Sequence, residues 1–206
     1  MVFHPSYFGP IIQYVAIVKS GKLVFEYCDN YQKQTYRNRC YISGPNGKQL
    51  LTVPVVHSKS RDKKLTKDIR IDNSYQWQRL HSKALYTAYR SSPFFEFYIE
   101  DFNDIFTKRF ESLIDLNFAV NDILLDVLEL STKTEKTSNY VMKYTSGEEG
   151  RYFINAKDKR LYNLAKYDQV FDQKQAFIPN LSVLDLLFNE GPNTLEYLEK
   201  HQHLIV

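Results

Sequence analysis

The sequence predicts an α/β fold: a small parallel or mixed sheet starting with a βαβ unit, an inserted β-hairpin and a central set of helices. Three observations predict it. The apolar start Met1-Val2-Phe3 is followed by a turn rich in Pro and Gly, a helical apolar period, and a second apolar stretch, Leu23-Val24-Phe25. The turn sequence Gly44-Pro45-Asn46-Gly47 separates two further strand-like stretches. From about residue 75 onwards, apolar side chains recur at helical spacing.

Each element has its own signal. His4-Pro5-Ser6-Tyr7-Phe8-Gly9-Pro10 breaks the first strand. Ile11, Tyr14, Val15 and Val18 then share a helix face, with Pro10 at its start and Gly21 at its stop. Strand, helix, strand predicts a parallel pair with a right-handed crossover. Cys40-Tyr41-Ile42 and Leu50-Leu51-Thr52-Val53-Pro54-Val55 form the hairpin arms. Residues 58–67 are polar and cationic, as in an exposed loop, and Ile69-Arg70-Ile71-Asp72 alternates like a short strand. Asn73-Ser74 is placed to cap a helix over residues 75–90, which carries Trp77, His81, Leu85 and Ala88 on one face. Two further helical regions follow, over residues 94–110 and 112–130. Residues 131–150 are polar and low in aliphatics, as in a flexible insert or an internal boundary, within one domain expected to span 1–206. Ser182-Val183-Leu184-Asp185 opens a short helix in the manner of a capping box, Gly191-Pro192 closes it, and a last helix is expected on the surface over residues 193–202.

Composition excludes several function classes. Twenty-seven basic residues against 24 acidic ones leave a formal charge of only +3, so no nucleic-acid partner is expected. Cys28 and Cys40 are the two cysteines, and neither they nor the histidines have metal-ligand spacing. No signal peptide is evident and no apolar run reaches bilayer length, so a cytoplasmic protein with reduced thiols and no membrane insertion is expected. The sequence specifies neither a cofactor nor an oligomeric state. Sixteen Tyr and 14 Phe beside a single Trp point to an aromatic core or an aromatic-lined cleft.

The candidate site centres on Asp29-Asn30-Tyr31-Gln32-Lys33-Gln34-Thr35-Tyr36-Arg37-Asn38-Arg39. This segment has cations, amides and phenols but no aliphatic side chain, and it lies between two apolar strands. A core strand with these charges would bury them at a cost of several kcal/mol each. In an extended chain Arg37 and Arg39 point the same way, and two adjacent guanidiniums call for an anion between them. An anionic or nucleotide-linked small molecule is one such anion; Glu26 or Asp29 inside the protein is the other. Lys33, Tyr36, Asn38 and the turn residue Tyr7 join the candidate ligand-binding set. The turn at His4 would lie beyond the carboxyl end of the first strand, facing the N–H groups of the following helix. His4 there either donates to an anion or acts as a general base, or is simply held within a structural turn. His81 shares an apolar face with Trp77, as a catalytic base in a cleft or a core histidine would. Glu26 is placed to orient a base or pair an arginine.

Three stretches carry a family resemblance. They are Tyr7-Phe8-Gly9-Pro10; Lys33-Gln34-Thr35-Tyr36-Arg37-Asn38-Arg39-Cys40 with Leu51-Thr52-Val53-Pro54; and Leu181-Ser182-Val183-Leu184-Asp185-Leu186-Leu187-Phe188-Asn189-Glu190-Gly191. In this order they resemble the WbqC-like protein family, which occurs with bacterial O-antigen and other surface-polysaccharide gene clusters. His4-Pro5 stands where many members have Gln-Pro. The resemblance implies an enzyme of surface-polysaccharide biosynthesis, with acyl or aminoacyl (glycyl) transfer to a sugar as the expected reaction. It also strengthens a catalytic role for His81, because a helix bearing Trp and His recurs in the family. In this reading His4 or His81 deprotonates the acceptor, while Lys33, Arg37 and Arg39 hold the donor. The alternative is a non-catalytic ligand-binding or scaffold protein of the same pathway.

Overall fold

A computed structural model describes residues 1–56, 64–145, 147–158 and 160–205. Most of the expected loop over residues 58–67 therefore lies outside the described residues. The chain opens with β1 (Val2–Phe3), α1 (Ile11–Ser20) and β2 (Leu23–Phe25), and β1 and β2 pair in parallel as expected. Val2, Phe3, Leu23 and Phe25 are all buried, which is why these strands read as unbroken apolar runs. Gly21 ends α1 in the left-handed conformation, at φ 60°.

The hairpin follows as a separate antiparallel sheet, β3 (Arg39–Gly44) and β4 (Gly47–Thr52), joined through Pro45-Asn46. Residues 69–72 do not form a strand; they make isolated bridges, Val55 with Ile71 and Arg70 with Ser112. The first central helix, α2 (Trp77–Tyr89), starts later than expected. Asn73 does not cap it, because the N-cap position falls on Gln76, which makes no side-chain cap bond; the Asn73 amide instead donates to the Phe110 carbonyl at 2.9 Å. The next helical region breaks into α3 (Phe95–Tyr98), a 3-10 turn and α4 (Asn103–Thr107). The long helix α5 (Leu113–Val127) has Ser112 as its N-cap.

The sheet acquires a third strand from an unexpected place. β5 (Thr134–Lys136) pairs in parallel with β2, giving the order β1-β2-β5. Its sequence Thr-Glu-Lys has no apolar signature, because an edge strand needs only backbone pairing. Residues 148–150 cover the other edge: Val2 N donates to Glu148 O at 2.7 Å and Gly150 N to Val2 O at 2.9 Å. Only glycine fits at position 150, since a Cβ there would lie 2.7 Å from the Phe3 ring. The polar stretch over residues 131–150 thus contributes to both sides of the β1-β2 pair.

The C-terminal part supplies α6 (Val183–Glu190), with the Ser182 hydroxyl accepting from Leu184 N, and α7 (Thr194–Lys200). This region also answers for the N-terminus of α1. Ile11 N donates to Leu181 O and Ile12 N to Asn180 Oδ1, both at 2.9 Å. The helix end expected to hold an anion is therefore occupied by the protein's own backbone and amide. Among the described residues, no helix is long and apolar enough to cross a membrane.

Asp185 departs from its expected role as a cap. It is fully buried on α6 and accepts from Tyr89 Oη at 2.6 Å, Tyr167 Oη at 2.5 Å and Gln169 Nε2 at 2.8 Å. Burial raises its pKa, and the three donors oppose that rise. The carboxylate thereby ties α6 to α2 and to the irregular chain before α6. Asp185→Ala strands three buried donors, so we expect a loss of about 3 kcal/mol or more, measured by urea denaturation.

Candidate functional site

The site is built where two irregular segments meet beneath α5. The turn after β1 and the segment before β3 join through Tyr7 N, which donates to Tyr36 O at 2.9 Å. Buried loop backbone needs partners, and α5 supplies them. Asn117 Nδ2 donates to Arg37 O at 2.8 Å and to Pro5 O at 3.2 Å; Asn121 Nδ2 donates to Ser6 O at 3.0 Å. From α1, Gln13 Nε2 donates to His4 O at 2.9 Å. Phe8 completes the turn at φ 45°, a conformation that strains a bulky residue. Its ring is fixed against Phe102 and Phe106, at 5.5 and 6.2 Å.

This scaffold buries a charged cluster. The Arg37 side chain is 1% exposed and pairs with the Asp29 carboxylate. The same guanidinium nitrogen donates to His4 Nε2 at 2.8 Å, and Nη1 donates to Thr35 Oγ1 at 3.2 Å. Asp29 Oδ1 accepts from Thr66 Oγ1 at 2.7 Å. A guanidinium has no acceptor to offer, so His4 Nε2 must be unprotonated and the imidazole proton sits on Nδ1. Burial, reinforced by the Arg37 and Arg151 charges, holds the His4 pKa well below the usual range, and the ring is neutral at pH 7. Burial pushes Asp29 up, and Arg37 and Thr66 pull it back. Two N–H donors in this cluster, His4 Nδ1 and Arg37 Nε, are buried and have no partner among the described residues.

His4, Asp29 and Arg37 line a cavity of about 470 Å³. Lys33 lines it too, with Glu149, Arg151 and Lys157. Four cations thus face two carboxylates, and the cavity suits a small anionic ligand. Arg151 is fixed in place: it pairs with Glu149 and Glu26 and donates to the carbonyls of Val141 (2.8 Å) and Met142 (3.1 Å). It also lies over the Tyr144 ring at 4.8 Å. The Glu149 hydrogen bonds raise its pKa further, so its charge is permanent. Among the described residues, no group of three His, Cys, Asp or Glu could hold a metal ion.

The structure brings together three of the residues singled out from sequence: His4, Lys33 and Arg37. The others lie elsewhere. Glu26 is fully buried just past β2, where it pairs with Arg151 at 3.3 Å and accepts from Thr137 Oγ1 at 2.8 Å. Arg39 sits on β3 and does not line the cavity, although its charge and that of Arg37 both act on the Tyr31 phenol. Tyr36 is buried with its ring 5.9 Å from Tyr41. Asn38 closes the hairpin base through Val53 O at 2.9 Å. Tyr7 is fully buried, and its hydroxyl bonds His81 Nδ1 at 2.8 Å. His81 packs edge-on to Trp77 at 5.4 Å, is 5% exposed and does not line the cavity. Burial brings its pKa down to about 4. Cys28 and Cys40 are both free thiols, and burial pushes the Cys40 thiol up. Sequence reasoning missed Asn117, Asn121, Glu149 and Arg151. The two asparagines did leave a trace, as amides at i and i+4 on an otherwise apolar helix face.

The sequence profile of the WbqC-like protein family matches residues 5–162 and 143–197. The chain belongs to this family. It is also 28% identical over 197 residues to an uncharacterized protein of Mycobacterium tuberculosis (strain ATCC 25618 / H37Rv), covering 82% of this chain and 83% of that one. No solved structure gives a significant match. The family match spans both segments that build the cluster, the His4 turn from Pro5 onwards and the stretch from Asp29 to Arg37.

Two outcomes follow for this WbqC-like protein. Asp29→Ala leaves Arg37 buried without a counter-charge and should cost 3–5 kcal/mol, on the order of other broken buried pairs, in chemical denaturation. The second concerns acid. The folded protein protonates His81 less readily than the unfolded chain does, so its contribution is full above pH 6.5 and is lost as pH falls toward 4. That loss is roughly 3 kcal/mol. Asp29 and Asp185, with raised values, act in the opposite sense. The slope of stability against pH should therefore be shallower in His81→Gln than in the native protein over this window.

Proposed function

We propose that this WbqC-like protein is an enzyme of surface-polysaccharide biosynthesis that transfers an acyl or aminoacyl group from an anionic donor to a sugar amine or hydroxyl. The observation that carries this reading is the pair of buried, unpartnered donors, His4 Nδ1 and Arg37 Nε, on residues that line a cationic cavity. Buried donors are normally satisfied. A ligand oxygen is the partner that would satisfy these two.

The chemistry fits that placement. As the acceptor attacks the acyl carbon, the new C–N or C–O bond forms and the carbonyl oxygen gains charge. His4 Nδ1–H and Arg37 Nε–H donate to that oxygen, as preorganised donors do in acyl transfer. The bond to the leaving group then breaks, and the acceptor's proton goes to the leaving group. Lys33 and Lys157 hold the phosphate or carboxylate charge of the donor. His4 is a donor in this scheme and not a base, because Arg37 occupies its Nε2 lone pair. His81 positions Tyr7 and takes no part in the chemistry.

A second reading, a non-catalytic ligand-binding or scaffold protein of the same pathway, is favoured by one observation. Both arginines that line the cavity already have carboxylate partners, so they can hold a ligand without being poised for reaction.

The two readings separate in a transfer assay with acyl and aminoacyl phosphates as donors and nucleotide-linked amino sugars as acceptors. His4→Gln should lower turnover about a hundredfold while leaving donor affinity nearly unchanged. Lys33→Ala should weaken donor binding about fivefold with little change in turnover. Binding that persists with no turnover in the native protein would favour the scaffold reading. Neither binding nor turnover would sink both.

A further inference from the structure

A second cavity, of about 490 Å³, lies away from the His4 cluster and has the opposite electrostatic character. Its walls come from α3 and the following turn (Tyr98, Asp101), from the C-terminal end of α5 (Asp126, Glu129), and from the start of α7 (Thr194). We propose that this cleft binds a small organic cation carrying an ammonium or guanidinium group.

Three features point to a cation. Asp101, Asp126 and Glu129 line the cleft, and none has a cationic partner among the described residues. Asp126 also lies in the last turn of α5, and no basic residue occupies that turn. The C-terminal end of a helix carries partial negative charge and normally attracts Lys or Arg. Carboxylates there repel the helix end, and a bound cation removes the repulsion. Finally, Thr194 lines the cleft, is 1% exposed, and its Oγ1 has no hydrogen-bond partner among the described residues. A buried hydroxyl without a partner is costly, and an N–H of the ligand would satisfy it.

The surroundings define the class of cation. Among the described residues the carboxylates do not converge into a set that could hold a metal ion. The space is that of a small molecule. Phe97, 74% exposed, and Tyr98 line the cleft with their rings 4.7 Å apart, edge to face, so aromatic surface is available to a flat guanidinium or an alkyl ammonium. Burial and the charges of Asp101 and Glu129 hold the Tyr98 phenol above its usual value. This site is separate from the anionic-donor cavity and does not depend on the reaction assigned to it.

The test uses agmatine and spermidine as probes, titrated calorimetrically into the full-length protein at low ionic strength. Saturable binding of at least one probe is expected. Glu129→Gln and Asp126→Asn, at exposed positions that leave the fold intact, should each weaken it about fivefold or more. Thr194→Val should weaken binding as well, yet raise the thermal midpoint of the protein without ligand, because it removes an unsatisfied buried hydroxyl. No saturable binding by ~10 mM of either probe overturns the proposal. Binding that is indifferent to all three substitutions overturns it too, since that is the behaviour of diffuse surface attraction.

Discussion

Taking the Arg37 guanidinium out of water costs several kcal/mol before any partner is counted. Its side chain is among the largest fully buried ones in the protein. That burial constrains everything around it. Asp29 must stay opposite it, which places the end of the β2 extension. Thr66 must hold the second oxygen of Asp29, which draws the chain after the hairpin inwards. His4 must present a lone pair, so its tautomer is fixed and its proton is left on the other nitrogen. A buried cation thus determines the protonation state of the histidine in the cavity, and with it the chemistry open to that histidine.

The same demand explains the polar residues of α5 and α1. A turn and an irregular segment that enclose a charge cannot be strands, so their carbonyls lack ladder partners. Asn117, Asn121 and Gln13 meet four such groups at the cost of placing amides in the interior. Each of these amides is at most 1% exposed. The strained Phe8 backbone belongs to this arrangement, since its ring anchors the turn to the central helices. Preorganisation of this kind is what a binding or catalytic site requires, because the donors are in place before a ligand arrives.

Much of the fold was legible in the sequence because it rests on apolar periodicity and turn chemistry. β1, α1, β2 and the hairpin all have such signals, and all form. β5 was not legible: Thr134, Glu135 and Lys136 pair through backbone alone, at a sheet edge where side chains need not be apolar. Of the candidate site, the unusual composition around Arg37 was visible, and so was the alternative that Arg37 pairs with Asp29. The alternation argument for Arg39 failed to bring it into the cavity, because the extended geometry begins only at β3 and Arg37 lies before it. Glu149 and Arg151 could not be found, since Arg151 meets Glu26, 125 residues earlier in the chain, and holds Glu149 beside it at the cavity.

Two buried carboxylates show how site and scaffold can be told apart in this chain. Asp185 carries more donors than Asp29 and no cation, and neither it nor its three donor residues retain a buried polar atom unpartnered among the described residues. It is a closed knot, and its work is to join elements. Asp29 belongs to an open cluster: its cation and the neighbouring histidine each retain an unpaired N–H, and all three residues line a cavity. Hydrogen-bond accounting distinguishes them. A buried charge whose surroundings are fully satisfied stabilises the fold, whereas a cluster that keeps donors in reserve beside a cavity is the one for which we propose a ligand as the missing partner.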